Sequence, residues 1–232
     1  MSWRTNRGIV LARSLGRTLG LNKWIASFLM RDGYEAGYDR LLLAELAPGD
    51  CVWDIGANIG YYSKLFSQCV GKEGTVLAFE PSPLNFARLS AACRDLKNVS
   101  LVQLGLGRED AKVSFRQGVD SLGATSRIVD HGPGEFVVDI RSGASLIDRG
   151  AALAPNAIKI DVEGFECEVL EGLGNHIAAA SLRTIGVEVH FGLLKERGLA
   201  EAPREIEALL HRSGFIVKWI DSSHILATRA RQ

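Results

Sequence analysis

The sequence predicts an α/β sandwich on a mostly parallel sheet, and three observations predict it. Short apolar runs alternate with amphipathic helical patterns from residue 51 to residue 190. Right-handed crossovers that cover each face turn such an alternation into a parallel sheet with helices on both faces. The tail, Gly214–Ile220 and His224–Thr228 around Asp221-Ser222-Ser223, reads as an antiparallel hairpin near one edge. Four of the apolar runs close on a polar residue (Asp54, Glu80, Gln103, Asp161). Open parallel sheets hold their ligands beyond those strand ends, where strand order reverses.

Residues 1–40 are expected to form a basic amphipathic helical extension ahead of a domain over 41–232. The first 31 residues carry Arg4, Arg7, Arg13, Arg17, Lys23 and Arg31 and no acid, with Trp3, Leu11, Leu15, Leu19, Trp24, Ile25 and Phe28 close to helical spacing. Arg13 and Arg17 interrupt the apolar core that a signal peptide needs. Two readings stay open. Leu, Ile and Trp on one stripe suit helices packed on the domain as a lid over its cleft. A basic amphipathic stretch also suits peripheral contact with an anionic membrane surface through residues 1–31.

Cys51–Gly60, CVWDIGANIG, is the pivot. An apolar strand stops at Asp54, breaks into Gly56-Ala57-Asn58-Ile59-Gly60, and leads to a helix with Tyr62, Leu65, Phe66 and Cys69 on one side. The next strand, from Thr75, closes on Glu80 and runs into Pro81 and Ser82. A glycine turn after one strand and an acid ending the next suit a nucleoside, whose ribose hydroxyls donate to a carboxylate. A dinucleotide turn needs glycine at the first, third and sixth positions, here Gly56, Asn58 and Tyr61, so a pyrophosphate would lose its close approach. No G-x-x-x-x-G-K-[ST] run occurs. There remains a ligand with ribose, no phosphate and a cationic amine for Asp54. S-adenosylmethionine has all three.

The remaining elements follow in order. Ser82-Pro83 is an N-cap with proline at the first helical position, ahead of a helix facing inward with Phe86, Leu89, Ala92, Cys93 and Leu96. Val99–Gln103 is a third strand, and Ala111–Phe115 and Phe136–Ile140 are β-like segments around Arg116–Glu135. Ala157–Asp161 is a fourth main strand, entering Val162-Glu163-Gly164 and a helix with Val169 and Leu170 inward. Thr184–His190 is a fifth, and Pro203–Arg212 is a helix.

Composition narrows the function classes. The 232 residues are 47% hydrophobic and 23% charged, enough for one sizeable core. Formal charge is zero, so no field advertises nucleic acid and none is expected as a partner. Cys51, Cys69, Cys93 and Cys167 form no C-x-x-C pair and read as free thiols of a cytoplasmic protein. No apolar run has the length of a membrane span.

DIGANIG, FEPSP, VQLGLG, IKIDVEGFE and VEVH, in this order, resemble the FkbM-type family of S-adenosylmethionine-dependent methyltransferases. The resemblance covers roughly residues 34–228, and IKIDVEG is far more specific than the glycine turn. It implies the Rossmann-like class I methyltransferase fold, a mostly parallel seven-stranded sheet ending in the hairpin. It also implies transfer of a methyl group to a hydroxyl of a sugar, glycan or secondary metabolite. Asp54, Gly56, Asn58 and Gly60 would surround the methionine part, Glu80 with Pro81 and Ser82 the ribose, Gln103 and Leu104 the adenine, and Asp161 the reactive end. Tyr34-Glu35 would reach the same cleft.

Methyl transfer from a sulfonium asks a protein to align the acceptor and remove one proton. Asp161, Glu163 and His190 are the candidate bases, and His190 has the best-matched intrinsic pKa. Lys159 shares a face with Asp161 and needs a partner if buried, for which Glu188 on the neighbouring strand is expected. Glu188 is also placed among acceptor-binding residues. Asp161, Glu188 and His190 have ligand types suited to a divalent metal, but no spacing defines a site and none is assigned. Arg116–Glu135, with Ser126 and Arg127, is too long for an idle connection and is read as an acceptor loop. An RNA 2′-O-methyltransferase and a non-catalytic nucleoside-binding or membrane-associated module are the alternatives. Oligomeric state is not legible.

Overall fold

A computed structural model of the chain describes residues 36–116, 127–128 and 135–229. Residues 1–31, Tyr34, Glu35 and Ser126 lie outside the described residues. Among the described residues, no helix is long and apolar enough to cross a membrane.

The main sheet has seven strands. They are β1 (Cys51–Ile55), β2 (Thr75–Phe79), β3 (Val99–Val102), β8 (Ala157–Ile160), β9 (Thr184–Glu188), β10 (Ile216–Trp219) and β11 (His224–Thr228). Their order is β10-β11-β9-β8-β1-β2-β3, parallel except that β11 runs antiparallel to β9 and β10 to β11. The expected parallel sheet and closing hairpin are therefore both present. β1 and β8 are buried at every position, as strands covered on both faces must be. Strand order reverses beside β1, which pairs with β2 on one side and β8 on the other.

One face carries Trp53, Phe79, Ile158, Ile160, Val187 and Ile225 against helices Glu166–Gly172 and Ala202–Arg212, which contribute Val169, Leu170, Ile206 and Leu210. The other carries Val52, Val76, Ala157 and Leu226 under Tyr38 and Leu42 of helix Ala36–Ala44 and Phe66 and Val70 of helix Tyr61–Val70. Helix Ala36–Ala44 runs through position 40 without a break, and Tyr38 and Leu42 are buried against the sheet. All four cysteines are free thiols.

Four features depart from the sequence reading. Gly105–Gly107 (β4), Ala111–Arg116 (β5), Arg127–Ile128 (β6) and Glu135–Ser142 (β7) form a second sheet, ordered β4-β7-β5-β6. The segment GLG has no strand propensity of its own and is held by its parallel register with Ile140–Ser142. The fifth strand stops at Glu188 rather than His190, which instead caps helix Phe191–Glu196. Helices Gly143–Asp148 and Phe191–Glu196, six residues each, are too short for a 3.6-residue period to show. Finally β1 runs one residue past Asp54, which lowers that carboxylate into the sheet instead of leaving it at the rim.

The β1 turn and the end of β8 are interlocked. The Asp161 amide donates to Ile55 O at 3.0 Å, and a Cβ on Gly56, whose φ is +81°, would sit 1.9 Å from Asp161 O. Gly56→Ala therefore meets both a left-handed backbone and a carbonyl that cannot retreat without breaking β8. We expect it to cost roughly 2–4 kcal/mol of stability, read by urea unfolding.

Candidate functional site

Two groups of side chains meet at the carboxyl ends of the parallel strands. The first is built on β1 and β2. Asp54 is fully buried, and Ser63 Oγ of the following helix donates to its Oδ2 at 2.5 Å. Its Oδ1 is buried with no hydrogen-bond partner among the described residues. Burial raises the Asp54 pKa, against the pull of the Lys159 ammonium and the Ser63 hydroxyl. Asn58, at φ +52°, turns its amide onto Glu80 Oε2 at 2.9 Å, and the Ser82 amide donates to Oε1 at 2.9 Å. Burial pushes Glu80 up to about 7 although both amides pull it down. Each Glu80 oxygen keeps a second lone pair for a ligand.

The other predicted cofactor residues take up structural tasks as well. The Ser82 hydroxyl caps helix Pro83–Cys93 through the Asn85 amide at 3.5 Å. Space saved at Gly56 is taken by Asp161 O, and at Gly60 by the Leu89 side chain, 2.8 Å from a notional Cβ. Both glycines are thus demanded by the chain itself, before any ligand arrives. Pro81 is half-buried beside Gly105. Gln103 lies exposed just past the edge strand β3, and Leu104 packs half-buried on the core.

The second group lies on β8, β9 and β11. Lys159, with its side chain 4% exposed, donates to Asp161 Oδ2 at 3.0 Å and stands 4.5 Å from the centre of the Tyr62 ring. Its expected partner, Glu188, is corrected to Asp161. Residues two apart on a strand share a face, whereas the cross-strand neighbour of Lys159 is Gly186. Burial lowers the Lys159 pKa, but Asp161, Asp54 and Glu188 together raise it above its usual value.

His190 Nδ1 lies 2.7 Å from Oε1 of the fully buried Glu166, which also accepts from the Gly164 amide at 2.8 Å. His190 Nε2 faces Glu163 Oε2 at 3.4 Å, Asp161 Oδ1 at 3.6 Å and Glu188 Oε1 at 3.8 Å. Burial works to lower its pKa, yet Glu166, Glu163, Asp161 and Glu188 raise it to about 10. The intrinsic match that favours His190 as a base at neutral pH is therefore lost in this ring of carboxylates. Glu163 holds a left-handed backbone, φ +52°, and Gly164 is fixed beyond it by Arg197, which donates to Gly164 O and stacks on Phe165. Glu188 also faces His224 Nε2 at 3.6 Å, and burial is overridden by His224, His190 and Lys159, which lower its pKa.

The structure thus gathers Asp54, Asn58 and Glu80 into one group and Asp161, Glu163, Glu188 and His190 into another, joined at the Asp161–Ile55 contact. Among the sequence-predicted residues, Arg127 opens β6 of the second sheet. Sequence reasoning missed Glu166, His224, Tyr38 and Ser63. Tyr38 stacks on His224 with ring centres 4.3 Å apart, and its hydroxyl fills the space above Gly186. Of these, only Ser63 carries a local signal, a hydroxyl in the first helical turn after DIGANIG.

Residues 54–217 match the Methyltransferase FkbM domain. The chain belongs to the FkbM methyltransferase family. Hexuronic acid methyltransferase AglP of Haloferax volcanii is 34% identical over 155 residues, 66% of this chain and 62% of that protein. The 31-O-demethyl-FK506 methyltransferase FkbM of Streptomyces tacrolimicus is 45% identical over 74 residues, 31% of this chain and 27% of that protein. The chain thus spans less than two thirds of these relatives. The crystal structure of methyltransferase FkbM from Methylobacillus flagellatus superposes with a TM-score of 0.54 at 18% identity, covering 79% of this chain and 44% of that one. The fold is the Rossmann-like class I methyltransferase fold.

The family uses S-adenosylmethionine, and the residues present fit it. The buried Asp54 Oδ1 is an anionic acceptor awaiting a cationic donor, and the spare lone pairs of Glu80 suit ribose hydroxyls. The FkbM-family chain also carries a titrating support at His224, bonded through Nδ1 to Asp221 Oδ2 at 2.8 Å. Burial lowers the His224 pKa, but Asp221 and Glu188 raise it to about 9. A histidine with a raised folded pKa stabilises fully below its unfolded value of about 6.5 and ceases to do so as pH passes the folded value. The stability difference between wild type and His224→Gln should therefore shrink steadily from pH 6.5 to pH 9 in denaturant titrations.

Proposed function

We propose that this chain transfers the methyl group of S-adenosylmethionine to a hydroxyl oxygen of an acidic sugar or of a glycan that contains one. The observation that carries this reading is the contact between the two groups: the Asp161 amide donates to Ile55 O at 3.0 Å, next to the Gly56 turn. AglP, a hexuronic acid methyltransferase by name, supports the acceptor class.

S-adenosylmethionine supplies a methyl carbon already activated by its sulfonium. Asp54 Oδ1 would accept from its amino group and Glu80 from its ribose hydroxyls, with Gly56, Asn58 and Gly60 shaping the turn and Gln103 and Leu104 on the side of the base. A carboxylate of Asp161 or Glu163 takes the acceptor proton as the C–O bond forms and the C–S bond breaks, its electron pair leaving with sulfur. His190, with Nδ1 held 2.7 Å from Glu166 Oε1, turns Nε2 toward these carboxylates and is read as a positioning residue. Residues 116–135 bear the acceptor, together with Glu35, and the planar guanidinium of Arg127 suits a sugar carboxylate.

Glu80→Ala and Asp54→Asn should each weaken S-adenosylhomocysteine binding about 10- to 100-fold, the worth of a hydrogen bond to a charged group, by calorimetry. Methyl label should pass to uronic-acid-containing glycans and not to RNA; label in RNA alone would overturn the acceptor class. Ser126→Ala with Arg127→Ala should raise acceptor KM while cofactor affinity holds. An equal fall in cofactor affinity would move that loop to the cofactor side.

A further inference from the structure

We propose that Asp161, Glu163 and His190, with Glu188 beside them, bind one divalent cation, and that this cation takes two neighbouring oxygen atoms of the acceptor. The second part rests on the methyl-transfer reading above; the cation site itself does not. Ligand atoms of Asp161, Glu163 and His190 lie within 4.8 Å of one another, half-buried in the cleft.

The donor set is mixed, and its histidine is already oriented. A carboxylate only accepts, so the 2.7 Å contact with Glu166 Oε1 places the hydrogen on His190 Nδ1. Nε2 is left facing Glu163, Asp161 and Glu188. A buried carboxylate behind one ring nitrogen is the arrangement that fixes a metal-binding histidine and raises its basicity. Glu166 suits that task, being fully buried with its second oxygen unpartnered among the described residues.

Spacing separates a cation from a simple ion pair. An imidazolium hydrogen bonded to a carboxylate would bring N and O to about 2.7–2.9 Å. The three contacts of Nε2 are instead 3.4, 3.6 and 3.8 Å. Ligand atoms about 2.1 Å from an ion lie about 3.0 Å apart at right angles and about 3.4 Å apart at tetrahedral angles. The shortest of the three matches the tetrahedral spacing, and all three are too wide for a proton bridge.

Charge points the same way. Three carboxylates converge here, and the neighbouring ammonium of Lys159 is committed to the far oxygen of Asp161, Oδ2, leaving Oδ1 toward His190. One imidazole and several carboxylates suit Mn2+ or Zn2+ better than an all-oxygen ion such as Ca2+. A vicinal diol, or a hydroxyl next to a carboxylate as in a uronic acid, offers the paired oxygens that would complete the shell.

The test is a titration of the chelator-stripped full chain with Mn2+, followed by the electron paramagnetic resonance signal of the free ion. Saturable binding of one ion per chain is expected. It should weaken by tenfold or more in Asp161→Asn and His190→Ala, and by about tenfold in Glu166→Gln. No saturable binding by wild-type chain that still binds S-adenosylhomocysteine overturns the proposal, and so does binding unchanged in all three variants. Mn2+ bound with no S-adenosylhomocysteine binding would support the cation site and sink the methyl-transfer reading. The wild-type titration decides even where a variant fails to fold, which thermal unfolding reports.

Discussion

The site depends on the buried ammonium of Lys159. A charge carried into a sheet interior costs several kcal/mol unless partners meet it there. Lys159 finds Asp161 two residues along its own strand, the ring of Tyr62 from the helix above, and the field of Asp54, its register partner on β1. These partners are fixed by pleat and register, so the position of Asp161 follows from backbone pairing and not from a flexible side chain. The same row extends through Glu188 on β9 to His224 on β11, which are opposite one another. The polar end of the sheet is thus one connected charge system laid across four strands.

A second constraint is the seam between the β1 turn and the end of β8. Gly56 lies against Asp161 O so closely that no other residue fits, and Asp161 N–H is bound to Ile55 O. Glu80 completes the seam from β2 by gathering the amides of Asn58 and Ser82. Three strand ends therefore hold one another. A ligand that meets Asp54 and Glu80 arrives at a surface already formed, with little ordering left to do. The acidic turn from Asp161 to Glu166 is as firmly held from behind, by Arg197 on Gly164 O and by the Gly164 amide on Glu166.

Much of this was legible before any fold was known. The seven strands of the main sheet show as short apolar runs because β1, β2, β8 and β9 are covered on both faces and tolerate few polar residues. Ser82-Pro83 marks its helix because capping is a local matter. What failed to show lacked local cause. Strand β4 exists only through its pairing with β7, helix Phe191–Glu196 is shorter than two turns, and Lys159 chose Asp161 over Glu188 through strand geometry.

The sequence by itself determined the family, the sheet and the identity of Glu80 and Asp161 as acids at strand ends, since each depends on neighbours a few residues away. Only the tertiary structure decided which of the later polar residues converge. Glu166 and His190 are 24 residues apart and Glu188 and His224 lie on strands joined out of order, so no periodicity records their meeting. It also decided the state of His190. An imidazole of ordinary affinity for protons becomes one ringed by carboxylates, because a pKa answers to distance and burial, and neither is written along a chain.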